Sequence, residues 1–272
     1  MKENFDVIEK IVPLFDSPAR FGEIGEYLAH NSNLPGPRSN LTLAFKFSDC
    51  FEHGPISDCL LDLLVGWVHI SSEKAPVNSP REYLPFCGIL ALGAHYYYAD
   101  EKTRNTIMEQ FKISMNDKRW RTREGAAMGF QKIAEKDFDL IRQQFLHWLP
   151  GSSNLEKRAF AAALAHPPIL KNNDTARFSL SVCENILDKI LTYGSEIRRS
   201  EDFAVLSKGL AYSISVFTAA LPEDGFAVMK KYARIKDPAL NKIIKANLSK
   251  TRLTKKYPQM IEEVTALLRE SS

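Results

Sequence analysis

The residues best suited to chemistry fall into two groups. Between Lys230 and Lys256 stand ten basic residues: Lys230, Lys231, Arg234, Lys236, Lys242, Lys245, Lys250, Arg252, Lys255 and Lys256. The only acid among them is Asp237. Cations at that density suit the neutralisation of phosphates, a contact that is salt-dependent and blind to base sequence. The second group is aromatic. His95-Tyr96-Tyr97-Tyr98 places three phenol rings in succession, and Trp120 heads the run Trp120-Arg121-Thr122-Arg123-Glu124. Exposed rings can stack nucleobases, whereas rings on an inner helical stripe pack the core. The candidate anion contacts are Arg121, Arg123, Arg158, Lys242, Lys245, Arg252, Lys255 and Lys256, with Tyr96, Tyr97, Tyr98 and Trp120 as a candidate aromatic groove. Trp120 shares an apolar stripe with Phe130, which also predicts a core position for it.

Other chemistries lack their motifs. There is no G-x-x-x-x-G-K-[S/T], G-x-S-x-G, H-E-x-x-H or G-x-G-x-x-G, so phosphate-loop, nucleophile-elbow, zinc-protease and dinucleotide chemistries have no support. No cofactor and no metal is expected. The six histidines lie apart in sequence, and the four cysteines form no C-x-x-C. Cys50, Cys59, Cys87 and Cys183 are expected as buried thiols in a reducing cytoplasm. The N-terminus lacks the basic start and apolar run of a secretory signal. No uninterrupted apolar stretch reaches the ~18 residues of a membrane span.

Around these groups the composition is ordinary. The 272 residues are 44% hydrophobic and 25% charged, which suits a soluble globular chain able to bury a large core. With 13 Gly and 14 Pro and no low-complexity tract, extensive disorder is excluded. The net charge of +3 hides an asymmetry: residues 1–110 carry 9 basic against 15 acidic side chains, and the Lys230–Lys256 block supplies the whole excess of the remainder. That asymmetry points to an anionic partner.

The elements that must position these residues read as helices. Phe5, Ile8, Val12 and Phe15 recur at helical spacing, as do Phe138, Ile141, Phe145 and Trp148. Ser17-Pro18 reads as a helix start. Leu34-Pro35-Gly36-Pro37-Arg38 and Ala75-Pro76-Val77-Asn78-Ser79-Pro80-Arg81 are stiff connectors, each leading with an arginine toward a helix. Asp100 caps a helix to Met115, and Trp120 opens another. Asp174, Asp202, Pro222, Asp237-Pro238 and Tyr257-Pro258 mark later helix starts. No alternating run suggests a strand. About fourteen helices with short connections make an all-α chain.

A motif recurs within it. Asp117-Lys118-Arg119-Trp120-Arg121-Thr122-Arg123-Glu124-Gly125-Ala126-Ala127 is echoed by Asn154-Leu155-Glu156-Lys157-Arg158-Ala159 and by Asp237-Pro238-Ala239-Leu240-Asn241-Lys242. A turn-capping acid, an arginine six residues on and small residues for close packing resemble the HEAT repeat over residues 100–270. That resemblance implies a right-handed α-solenoid of about seven antiparallel helix pairs, running as one array over residues 1–272. The first 100 residues would be divergent repeats or a cap. It further implies an Asp–Arg ladder between repeats at Arg123 and Arg158, and a concave binding face.

Within that superfamily the chain has a distant similarity to HEAT-like DNA alkylation-repair glycosylases, at Arg119–Ala127 and at Ile243-Ile244-Lys245-Ala246. It departs from them at Asn247-Leu248, where an aromatic residue is expected. Their catalytic Trp…Asp pair is not matched, and Tyr96–Tyr98 with Asp100 is the aromatic–acid cluster nearest that region. The expected function is therefore non-enzymatic recognition of a macromolecule, protein or nucleic acid, on the concave face, with no membrane partner. The alternative is a DNA-binding or glycosylase-like protein gripping duplex with its basic C-terminal repeats.

Overall fold

The computed structural model describes residues 6–270 and is helical throughout them, with sixteen α-helices and no strand among the described residues. The chain forms two compact units, Met1–Asp137 and Phe138–Ser272.

The first unit holds α1 (Asp6–Ile11), α2 (Phe21–His30), α3 (Leu41–Asp49), α4 (Asp58–Val68), α5 (Tyr83–His95), α6 (Glu101–Met115) and α7 (Trp120–Lys136). Its axis is α5, every residue of which is buried. α3, α4 and α7 pack around it. The sequence of α5, Tyr83-Leu84-Pro85-Phe86-Cys87-Gly88-Ile89-Leu90-Ala91-Leu92, is apolar all round, as a fully enclosed helix must be. α5 and α7 meet at Gly93 and Gly129, where backbone touches backbone. A Cβ on Gly93 would lie 2.6 Å from the Gly129 Cα.

The N-terminal stripe differs from its sequence expectation. Phe5 lies outside the described residues. Val12 is exposed, while Ile11 and Leu14 are buried. The reason is that α1 ends at Ile11 and tightens into a 3₁₀ turn over Val12–Leu14, which changes the period from 3.6 to 3 and rotates the inward face. Ser17-Pro18 opens a further 3₁₀ turn, and Ser17 makes no side-chain cap.

The second unit holds α8 (Phe138–Trp148), α9 (Asn154–Leu164), α10 (Asn173–Leu191), α11 (Ser195–Arg199), α12 (Glu201–Ala220), α13 (Pro222–Ala233), α14 (Pro238–Leu248), α15 (Thr251–Thr254) and α16 (Pro258–Glu270). Here α12 is central, packed by α9, α10, α13 and α14. It is long and apolar enough to cross a membrane by length and composition, and half of that window is buried within the fold. Asp100, Ser153 and Asp237 cap α6, α9 and α14 through backbone amides. Asp174 and Asp202 do not cap. Asn172 and Ser200 hold the extended N-cap positions and accept the free amides. The two aspartates lie in the first turn instead, where a negative charge favours the helix dipole. The short α11 and α15 account for the helix number exceeding the expected fourteen.

The cysteines divide. Cys87 and Cys183 are buried, Cys50 is half-buried and Cys59 is exposed. Cys59 falls in the first turn of α4 on the face away from Leu60 and Leu64, which corrects the expectation of four core thiols.

Candidate nucleic-acid interface and aromatic cleft

In the first unit the structure joins segments far apart in sequence. The two proline-rich connectors lie side by side, and the start of α7 docks on both. Gly36 N–H donates to Asn78 Oδ1 at 2.9 Å, and Asn78 N–H donates to Glu82 Oε2 at 2.6 Å. Arg121 Nη1 donates to the same Glu82 oxygen at 2.8 Å, and its Nη2 donates to the Gly36 carbonyl at 2.8 Å. Glu82 and Arg121 are both buried. Asn33 and Asn78 adopt left-handed backbone (φ 61° and 69°), which asparagine accepts more readily than other side-chain-bearing residues.

This geometry corrects two expectations. Arg121 is not an anion contact: its charge is spent on Glu82 inside the protein. Trp120 is not a core residue with Phe130. It stays 47% exposed while Phe130 is fully buried, and it is the first residue of α7, at the helix end. Its ring is covered by the Arg121 guanidinium at 4.4 Å. Beside it opens a cleft of about 510 Å³ walled by Trp120, Phe86, Leu41, Met128, Arg38 and Glu124.

The remaining arginines of the motif make contacts within the protein. Arg119 is fully buried, paired to Asp117 at 2.5 Å, and donates to the Ala75 carbonyl. Arg123 donates to the carbonyls of Asp117 and Lys118 at 2.6 and 3.0 Å. It thus caps its own turn, while the Asp117 carboxylate is paired to Arg119. The stem of Arg158 lies against Gly209 of α12. Arg198 and Asp237, 39 residues apart, form an Asp–Arg pair at 2.8 Å. Burial raises the Asp237 pKa, but Arg198 and the α14 amides outweigh it and hold the carboxyl below its ordinary value.

The tyrosines do not join this cleft. Tyr96 is buried, Tyr97 exposed, and Arg104 ties the 3₁₀ turn they form by donating to the Tyr96 and Tyr97 carbonyls. They follow the C-terminal end of α5, while Glu82 precedes its first residue, a separation of about 20 Å at 1.5 Å per residue. Asp100, the acid beside them, is committed to the Thr103 amide.

His95, at the same end of α5, is 2% exposed. Burial lowers its pKa below 6.5, against a smaller opposite effect of a Phe51 backbone hydrogen bond. Just below pH 6.5 the unfolded chain therefore binds more protons than the folded one, and stability falls as pH drops through that window. His95→Gln is expected to flatten this dependence, measured as the change in urea midpoint between about pH 7 and about pH 5.5.

In the second unit the basic block is split by structure. Lys230 pairs with Glu263, and Lys231 with Glu184. Lys242, Lys245, Lys255 and Lys256 are exposed, and among the described residues no ion pair engages them or Lys236 and Lys250. Arg252 does not continue the Lys242–Lys245 face, because α14 ends at Leu248 and Arg252 belongs to α15. It stacks over the half-exposed ring of Tyr212 on α12 at 4.5 Å. Asn247 is a buried and fully bonded amide. It donates to the Leu210 and Ile243 carbonyls and accepts from Ser215 N–H, fastening α14 to α12. No group of acids, histidines and cysteines able to hold a metal occurs among the described residues.

Sequence reasoning missed Arg38, Asn78, Glu82 and Tyr212. The stiffness of the two connectors was the one local signal for the first three; Tyr212 carried none. Compared with known proteins, the chain matches no family model, no curated protein and no solved structure.

Proposed function

We propose that this protein is a non-enzymatic binding protein that recognises a polyanionic macromolecule, nucleic acid first. We further propose that its helix pairs stack as HEAT-like repeats of a right-handed α-solenoid with a concave binding face. The observation that carries the functional reading is the set of exposed cations on and around α14 and α15 that no carboxylate among the described residues neutralises, set beside the Arg252–Tyr212 stack. Unpaired surface cations at this density raise the local potential and release counterions when they meet phosphates. Support for the repeat architecture comes from packing within each unit. α5 meets α3 and α7, and α12 meets α9 and α14, so one helix of a pair contacts its counterparts in neighbouring pairs.

An anisotropy titration with labelled duplex at several salt concentrations tests this. If about six phosphates are neutralised, log K falls against log salt with a slope of about −5. The double variant Lys242→Glu/Lys245→Glu is expected to lower affinity at every salt and reduce the slope by about 2. Absence of binding at low salt would sink the nucleic-acid reading.

One observation favours the glycosylase-like alternative. Trp120 and Glu124, one helical turn apart, wall the same cleft, so an aromatic ring and a carboxylate converge as base-excision chemistry requires. Release of alkylated bases from bound duplex, lost in Glu124→Gln, would establish that activity. Binding without release leaves the binding reading alone.

A further inference from the structure

From the cleft in the first unit we infer a mononucleotide subsite: Trp120 stacks one unstacked nucleobase and Arg38 takes its phosphate. The inference deepens the nucleic-acid reading by naming what the strand presents, but it stands on a different set of residues.

Three observations carry it. The first is the wall. Trp120 remains 47% exposed at the start of a helix whose Phe130 and Ile133 are buried. An aromatic face is costly to leave in water, and a planar heteroaromatic ring is the partner that covers it best. The floor beside it is apolar, from Phe86, Leu41 and Met128, and the volume of about 510 Å³ lies within the roughly 300–1,000 Å³ of small-ligand sites.

The second is the polar rim. Arg38 is exposed at the edge of the cleft, and among the described residues no acid engages it. Arg121, the other guanidinium here, is held by Glu82 and by the Gly36 carbonyl. A ligand phosphate therefore meets one uncommitted cation, Arg38, while Arg121 covers the indole. Asn33, Ser39 and Thr42 add side-chain donors and acceptors for a base edge. Asn40 does not, because its amide already binds Asn31 O and Leu43 N–H.

The third is preorganisation. The loop bearing Arg38 is anchored through Gly36 to Asn78 and Arg121, and Tyr83 Oη donates to the Asn40 carbonyl at 2.5 Å. A wall fixed by hydrogen bonds between distant segments loses little conformational freedom on binding. This separates the cleft from the charged groove between α10 and α13. There Lys231 pairs with Glu184, and Arg177 lies 3.9 Å from Asp224, which leaves no charge for an anion.

The same base-plus-phosphate chemistry has two sources, a residue of a single strand or a free nucleotide. The test is quenching of tryptophan emission by a thymidine decamer and, separately, by thymidine monophosphate, with decamer binding followed in parallel by anisotropy. The decamer is expected to quench, and the quench to vanish in Trp120→Leu with about tenfold weaker binding. Arg38→Ala, a change at an exposed position, should leave the thermal melt unchanged, weaken binding about fivefold and lower the salt slope by about 1. Quenching by the monophosphate with the same Trp120 and Arg38 dependence would support the subsite with a free nucleotide as its source. Were that to occur without decamer binding, the nucleic-acid reading would fall and the subsite would stand. Decamer binding with no Trp120-dependent quench overturns the subsite and leaves the nucleic-acid reading intact.

Discussion

Glu82→Ala is expected to cost the first unit about 3–5 kcal/mol, read as a loss in urea unfolding free energy. Glu82 accepts from Arg121 Nη1 and from Asn78 N–H on a single buried oxygen. Its removal strands the guanidinium of Arg121, 3% exposed, without a counter-charge. The cost is that uncompensated buried cation more than the worth of the pair, since desolvation offsets most of the Coulomb attraction between buried partners. The double variant Glu82→Leu/Arg121→Met should therefore be less destabilised than Glu82→Ala alone. A double variant as unstable as the sum of the single losses would show the two residues to be uncoupled. The pair also sets the cleft. Arg121 fixes Gly36 and lies over Trp120, so the double variant should fold yet lose much of its tryptophan quench with the thymidine decamer.

A second large effect is expected at the crossing of α5 and α7. Gly93→Ala puts a methyl 2.6 Å from the Gly129 Cα and 2.7 Å from its carbonyl oxygen. Both obstacles are backbone, so no side-chain rotation relieves them and the helices must separate. Overpacking of this kind costs about 1–3 kcal/mol and sometimes more. Because the alanine gains only about 0.5–1 kcal/mol in helix propensity, the net loss should be about 1–2 kcal/mol. Gly66→Ala in α4 is the control, since a Cβ there meets nothing within 4 Å; it should stabilise by up to about 1 kcal/mol. Equal responses of the two variants in chemical denaturation would refute the close approach.

The helices themselves were legible. Cap signals at Asp100 and Asp237-Pro238 act within three residues, and the connectors around Pro35-Gly36-Pro37 and Pro76–Pro80 exclude helix by local stereochemistry. The errors arose where a competing local choice decided. Asn172 and Ser200 outbid Asp174 and Asp202 as caps, and the 3₁₀ turn after Ile11 redirected the N-terminal stripe. The charge asymmetry was legible too, because it depends only on composition.

The partners of each charge were not. Arg121 reads as one of four cations around Trp120, yet its acceptors lie 39 and 85 residues earlier, at Glu82 and Gly36. Lys230 and Lys231 read like Lys242 and Lys245, but carboxylates on α16 and α10 neutralise the first two. By itself the sequence determined that the chain is all-helical, where most helices begin and end, and that its positive charge collects near the C-terminus. Those properties follow from backbone stereochemistry and hydrogen bonds spanning a few residues. Only the tertiary structure decided that Trp120 faces solvent, that Arg38 rather than Arg121 is the available cation beside it, and that the first connector and the start of α7 wall one cleft. Those outcomes depend on which buried groups meet across the chain, and burial forces each charge to find a partner wherever packing supplies one.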